Sequence, residues 1–195
     1  MKKYVKEDLS YYDTLLEQGE ITLEEYITQQ LTKLRVPQQD MIDELDLVAS
    51  IRPYFPDLID YCGVNDAPFT VVSAGLDFVI RHFLTRARVE DRVEICAPQT
   101  RFTEQTIQIT FPPLKDETSL DFKQDLVKDY QRHGYTVFYI GDALSDYNAV
   151  RQAKYSFAIQ GSNLDQLCKR EKIPYQIINN FKDVIDALDA MKLTS

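Results

Sequence analysis

Phe138-Tyr139-Ile140-Gly141-Asp142-Ala143-Leu144-Ser145-Asp146 reads as the end of one element and the start of another. The run from Thr136 to Ile140 is short, β-branched and aromatic, and it stops at a glycine. Those are the marks of a buried strand. Two carboxylates four residues apart follow directly. With a helix from about Ser145 to Ala153, Asp142 leaves the strand end and Asp146 falls in the first helical turn, so both face one crevice. Clustered carboxylates repel unless a cation joins them, which makes Mg2+ the natural partner. The same residues can also serve the helix alone, with Ser145 or Asp142 capping it and Asp146 complementing its dipole.

On either side the chain alternates. Downstream come a strand at Tyr155 to Ile159, a helix from Ser162, a strand at Tyr175 to Ile178, and a last helix capped by Asn179 or Asn180. Upstream, Asp121 to His133 has a helical pattern, while Val93 to Cys96 and Thr106 to Phe111 read as strands with a polar connection between them. Before these, Phe69-Thr70-Val71-Val72 ends at Ser73-Ala74-Gly75, and Leu76 to Leu84 is helical. Strands alternating with helices of about ten residues predict an α/β fold, a Rossmann-like parallel sheet covered on both faces. Ser73 to Gly75 then places a hydroxyl and free amides at a strand end entering a helix, which suits an anion. The plainer alternative is that Ser73 caps that helix.

The first 64 residues lack this alternation. Tyr4 to Glu17 has helical spacing through Tyr4, Val5, Leu9, Tyr12, Leu15 and Leu16, ending at Gly19. Thr22-Leu23-Glu24-Glu25 matches a capping box that opens a helix through Leu34, and Pro37 stops that helix or starts the next. Met41 to Ala49 and Pro53 to Tyr61 are further short helices. Residues 1–64 therefore read as a helical cap region and residues 65–195 as the α/β core.

The chain has 195 residues, of which 44% are hydrophobic and 27% charged, ordinary values for a globular protein. Its net charge of −9 argues against nucleic acid, whose phosphates call for a basic face. A small phosphorylated ligand remains compatible, since a local pocket can be positive on an acidic protein. No apolar run approaches the roughly 20 residues that span a bilayer. The charged start, Met1 to Asp8, has no apolar region behind it as a secretory signal would. Cys62, Cys96 and Cys168 suggest neither a disulfide framework nor a zinc site. The expected compartment is the cytoplasm. His82 is expected to be packed or half-exposed, and oligomeric state is not readable.

Gly141-Asp142-Ala143-Leu144-Ser145-Asp146 resembles the fourth motif of haloacid-dehalogenase (HAD)-like phosphatases, Gly-Asp-x-x-x-Asp after a hydrophobic strand. Phe69 to Gly75 resembles their second motif, and Lys123 stands where the third places a lysine. The likeness is to the phosphoserine-phosphatase-like branch, especially the methionine-salvage type, which has a helical cap before the second motif and a Phe-Pro, here Phe111-Pro112, before the lysine. It covers nearly the whole chain. The resemblance implies a Mg2+-dependent phosphatase of a small phosphorylated metabolite. Ser73, Ala74, Gly75 and Lys123 would hold phosphate, with Ser73 and Lys123 catalytic; Asp142 and Asp146 would serve the metal, Asp146 by supporting it or the lysine. Without the resemblance, Lys123 reads as a solvated surface lysine.

The family's first motif, Asp-x-Asp-Gly-(Thr/Ser), supplies the nucleophile and the general acid–base from the first core strand. The Asp-Gly pair does not occur in this sequence, and Asp13 lies in a helical pattern. By the family layout the motif falls upstream of Met1. The expectation is therefore a reading frame truncated at its amino end, without its first core strand and inactive as written. The alternative is a non-catalytic relative that binds a phosphometabolite or a protein partner.

Overall fold

A computed structural model describes residues 10–32, 36–103 and 107–192. Tyr4, Val5 and Leu9 of the first expected helix, Leu34 of the second and Thr106 of the expected strand lie outside the described residues. The first third of the chain contains α1 (Ser10–Gln18), α2 (Leu23–Leu31), α3 (Gln38–Val48) and α4 (Phe55–Val64). The capping box is formed: Glu25 N donates to Thr22 Oγ1 at 3.1 Å, and Thr22 N donates to Glu25 Oε2 at 2.8 Å. In α4 the proline sits in the first turn, where its missing N–H costs nothing.

Three β pieces follow. β1 (Thr70–Val72) pairs in parallel with β2 (Glu94–Cys96), Val71 opposite Ile95. β3 (Gln99–Phe102) and β4 (Ile107–Thr110) make an antiparallel hairpin. β5 (Phe138–Gly141), β6 (Tyr155–Ile159) and β7 (Gln176–Ile178) form a parallel sheet with β6 in the middle. The helices between them are α5 (Asp77–Arg86), α6 (Phe122–Arg132), α7 (Tyr147–Gln152), α8 (Asn163–Glu171) and α9 (Phe181–Lys192). Ser162 caps α8 by accepting from Asp165 N, and the Asn180 side chain accepts from Lys182 N at the start of α9.

Two features depart from the sequence reading. The polar connection expected between those two strands contains β3, whose residues alternate between exposed and half-buried. One wet face made it look like a loop, but β4 and the Asp77 carboxylate, which accepts from Thr100 N at 3.1 Å, order it. Second, among the described residues the parallel strands form two sheets and not one. The pairings are β1-β2 and β5-β6-β7.

The two sheets run the same way. Cys96, at the carboxyl end of β2, packs in one cluster with Phe122 at the start of α6. At the other end, Thr70 of β1 meets Tyr130 in the last turn of α6, hydroxyl to hydroxyl at 2.6 Å. α6 thus lies across both sheets, with Val127 packed in one cluster with Tyr139 of β5 and Val72 of β1. On the opposite side, Leu58 of α4 packs with Phe157 of β6 and Val184 of α9, all at most 1% exposed. Each such side chain removed from water contributes about 1.5–3 kcal/mol before entropy is set against it. Between these helix layers an apolar slot of about 590 Å³ separates β1 from β5.

Helices α2 and α3 pack beyond the carboxyl end of β1. Leu23, Ile27 and Leu31 of α2 and Met41 of α3 share one core with Leu76, Ile107 and Phe122. No described helix is long and apolar enough to cross a membrane.

Candidate functional site

Lys123 opens α6, and the helix start is fixed from three directions. Asp121 caps it by accepting from Gln124 N at 2.8 Å and accepts from Asn148 Nδ2 of α7 at 2.8 Å. Asp125, 4% exposed, accepts from Lys115 N, Asp116 N and Ser119 Oγ, which pins the incoming loop. Lys123 therefore enters the protein with little freedom. It is 3% exposed, and its ammonium donates to Asp146 Oδ1 at 2.6 Å and Ser145 Oγ at 3.0 Å.

Asp146 is the hub. Besides Lys123 it accepts from the Tyr139 hydroxyl at 2.9 Å on Oδ1, and from the backbone N–H groups of Asp142 and Ala143 at 3.0 Å each on Oδ2. Burial alone would raise its pKa, but the lysine charge and these hydrogen bonds outweigh burial and hold the carboxyl below the usual range. Tyr139, buried beside that anion, is pushed well above the ordinary phenol value, first by burial and then by the Asp146 charge. The carboxylate lies so close to the strand end that a Cβ on Gly141 would sit 2.7 Å from Asp146 Cβ. Only glycine allows that approach.

Asp142 is different. Its side chain keeps 58% of its surface, and its nearest cation, Arg52, is 3.8 Å away. Loss of hydration in the crevice, then the Asp146 charge, raises its pKa against the pull of Arg52 and Lys123. Ser73 ends β1, where its N–H donates to Cys96 O at 3.0 Å and its Oγ accepts from Gly75 N at 3.1 Å. It does not cap α5, whose cap position is Leu76. The tie between Lys123, Ser145 and Asp146 is direct. Ser73, Ala74 and Gly75 belong to the same end of the molecule, since Val72 and Ala74 pack in the cluster that holds Phe122, but no hydrogen bond described here joins them to Lys123.

Tyr139, Arg52, Asp121, Asp125 and Asn148 were not anticipated as parts of this arrangement. Tyr139 carried one weak signal, a hydroxyl on an otherwise apolar strand. His82 is half-buried and joined to Asp46 at 2.8 Å, away from the cluster.

Among the described residues no group of three His, Cys, Asp or Glu side chains is placed to hold a metal ion. Asp146 has both oxygens engaged, so of the pair it is Asp142 whose carboxylate stays exposed. Mg2+ requires near-octahedral oxygen coordination, to which one carboxylate is a start and not a site. The described residues do not by themselves complete a Mg2+ donor set.

No family model matches the chain. Similar proteins are nevertheless clear. The chain is 30% identical over 159 residues to a 2-hydroxy-3-keto-5-methylthiopentenyl-1-phosphate phosphatase of Geobacillus kaustophilus, covering 79% of this chain and 70% of the relative. It is 27% identical over 175 residues to a polyol phosphate phosphatase of Saccharomyces cerevisiae, covering 81% and 70%. In fold it is similar to a substrate-bound phosphoserine phosphatase, with a TM-score of 0.65 at 12% identity over 94% of this chain and 85% of that one. Sequence, fold and the order of the three motifs agree: the chain belongs to the HAD-like phosphatase family.

Proposed function

We propose that the chain is the phosphate-recognising and charge-stabilising part of a Mg2+-dependent phosphatase of small phosphorylated metabolites, catalytically silent without a nucleophilic aspartate. The observation that carries this reading is the buried Lys123 ammonium, fixed by Asp146 and Ser145 at the tip of β5. A lysine so held is preorganised to meet a phosphoryl group, and phosphoryl transfer is largely positioning and charge stabilisation. In this reading the Ser73 hydroxyl and the Ala74 and Gly75 amides bind the phosphoryl oxygens. Asp146 orients the lysine, and Asp142 contributes one metal oxygen. The residues named here supply neither the other metal donors nor a nucleophile, and no step is derived from them alone.

The cap over residues 1–64 covers the site in this reading, and the core spans 65–195, with α4 as the connector because it packs on the core sheets. A small metabolite in the cytoplasm suits the acidic surface better than nucleic acid. A second reading rests on the sequence lacking an Asp-Gly pair: the fold retains ligand binding and has given up turnover.

The test separates the two. The chain as given should release no phosphate from small phosphomonoesters with Mg2+. The chain extended by an apolar strand ending in Asp-x-Asp-Gly-Thr should turn over. In that extended protein Lys123→Ala should lower kcat by about 10²–10³-fold, and Asp142→Asn should abolish activity. A folded extended protein that stays inactive overturns the enzymatic reading, and calorimetric binding of phosphate without turnover then supports the second.

A further inference from the structure

Arg52 stands at the mouth of the crevice and is held there only loosely by charge. Its side chain is 38% exposed, and among the described residues its ionic partner is Asp142, at 3.8 Å. That distance is beyond a hydrogen bond, and a pair so exposed contributes little. Lys123 is the opposite case, buried and hydrogen-bonded to Asp146 and Ser145. The guanidinium of Arg52 therefore keeps its donors available to a ligand.

The backbone beneath it is fixed. The carbonyl of Pro53 accepts from Phe181 N at 3.3 Å, which ties the turn to the start of α9. Ile51 packs on the cluster of Phe55, Ile59, Leu84 and Val89 that also receives Val71 of β1. Tyr54 takes a left-handed φ of 65°, which a bulky residue adopts only where its surroundings impose it. A mobile side chain is thus carried on a rigid base between the β1 side of the crevice and the loop that follows β5.

The charges along that loop define what fits. Lys123 and Asp146 compensate each other at 2.6 Å. Asp142, whose N–H donates to Asp146 at 3.0 Å, leaves a carboxylate at the mouth that opposes an incoming anion. A phosphate group carries roughly −1.5 to −2 charge near neutral pH, so the two repel. The described residues do not complete a Mg2+ donor set that would reconcile them. Arg52 has the chemistry to do so. Its charge offsets Asp142, and its planar fork of N–H donors matches two oxygens of one phosphoryl group.

We propose that Arg52 is a ligand-binding residue of the crevice, donating from its guanidinium to two phosphoryl oxygens, so that phosphate and phosphomonoesters are held with no metal ion bound. The assignment rests on the phosphate reading above and adds to it a residue outside all three motifs.

Inorganic phosphate titrated calorimetrically into the full chain tests this, once in EDTA and once in Mg2+. Saturable binding is expected in EDTA, and Arg52→Gln should weaken it at least about tenfold. Arg52→Lys keeps the charge without the fork and should recover only part of that loss. The far-ultraviolet spectrum and urea midpoint of both variants should match wild type, because the exposed pair with Asp142 contributes little to stability. A second comparison separates contact with the anion from shielding of Asp142. In an Asp142→Asn background Arg52→Gln should still weaken binding; no effect there means that Arg52 only shields the carboxylate, and the direct contact is overturned. Should Arg52→Gln fail to fold, Arg52→Lys decides, and wild-type affinity in that variant overturns the fork. Binding in EDTA that Arg52→Gln leaves unchanged, or binding in Mg2+ alone, overturns the proposal and leaves the phosphate reading standing. No binding in either condition removes that reading, and this assignment with it.

Discussion

Asp146 shows how much one side chain can be made to do when its surroundings are arranged for it. It compensates a buried lysine, accepts a tyrosine hydroxyl and ties down two backbone amides. Removing it as Asp146→Ala leaves the Lys123 charge buried without a partner, which should cost about 3–5 kcal/mol in urea denaturation. The pH dependence follows from the direction of its shift. The folded carboxyl is more acidic than the unfolded one, so its stabilisation is fully present above the ordinary carboxylate range and is lost as pH falls through the lowered folded value. The gap between wild type and Asp146→Asn should therefore be widest near neutral pH and close in acid. An unchanged gap down to about pH 2 would contradict this assignment. Gly141→Ala tests the same contact from the strand side: the new Cβ must push Asp146 away, and the expected loss is about 1–3 kcal/mol by the same denaturation.

At the scale of elements, the sequence was readable wherever one local rule governed. The capping box at Thr22, the cap at Ser162, the strand through β6 and the helical run of α6 each follow from a pattern within a few residues. What could not be read depended on distant partners. β3 is ordered by β4 and by Asp77, and no short window contains all three. Lys123 reads as a surface lysine until α7 and β5 close around it, and only family resemblance marked it beforehand. Asp125 is of the same kind, an unremarkable helical aspartate in sequence and a buried acceptor of three hydrogen bonds in the fold. Asp125→Ala should strand those donors and cost about 1–3 kcal/mol, with Lys115 to Ser119 losing protection first in hydrogen exchange. Thr22→Ala, which breaks a cap on an exposed turn, should cost about 1 kcal/mol in the same thermal or chemical melt.

At the scale of the molecule, the divided sheet and the acidic surface pull in opposite directions. Open strand edges promote association between copies, whereas like charge keeps copies apart. With a net charge of −9, repulsion should dominate at low ionic strength. Salt shortens the reach of that repulsion, to roughly 10 Å at 0.1 M and 3 Å at 1 M, while leaving hydrogen bonding at an edge and apolar contact in the slot little changed. Sedimentation velocity should therefore show a single slow species in dilute buffer and growing, concentration-dependent association as sodium chloride rises. Val72→Lys, which places a cation at the β1 edge of the slot, should suppress the salt-induced species although it lowers the net negative charge by one. That last point makes the experiment decisive. If association were driven only by loss of charge repulsion, a substitution that reduces the negative charge would increase it. In a variant whose far-ultraviolet spectrum is unchanged, so that the clusters Val72 packs in are intact, a decrease points to the slot edge itself.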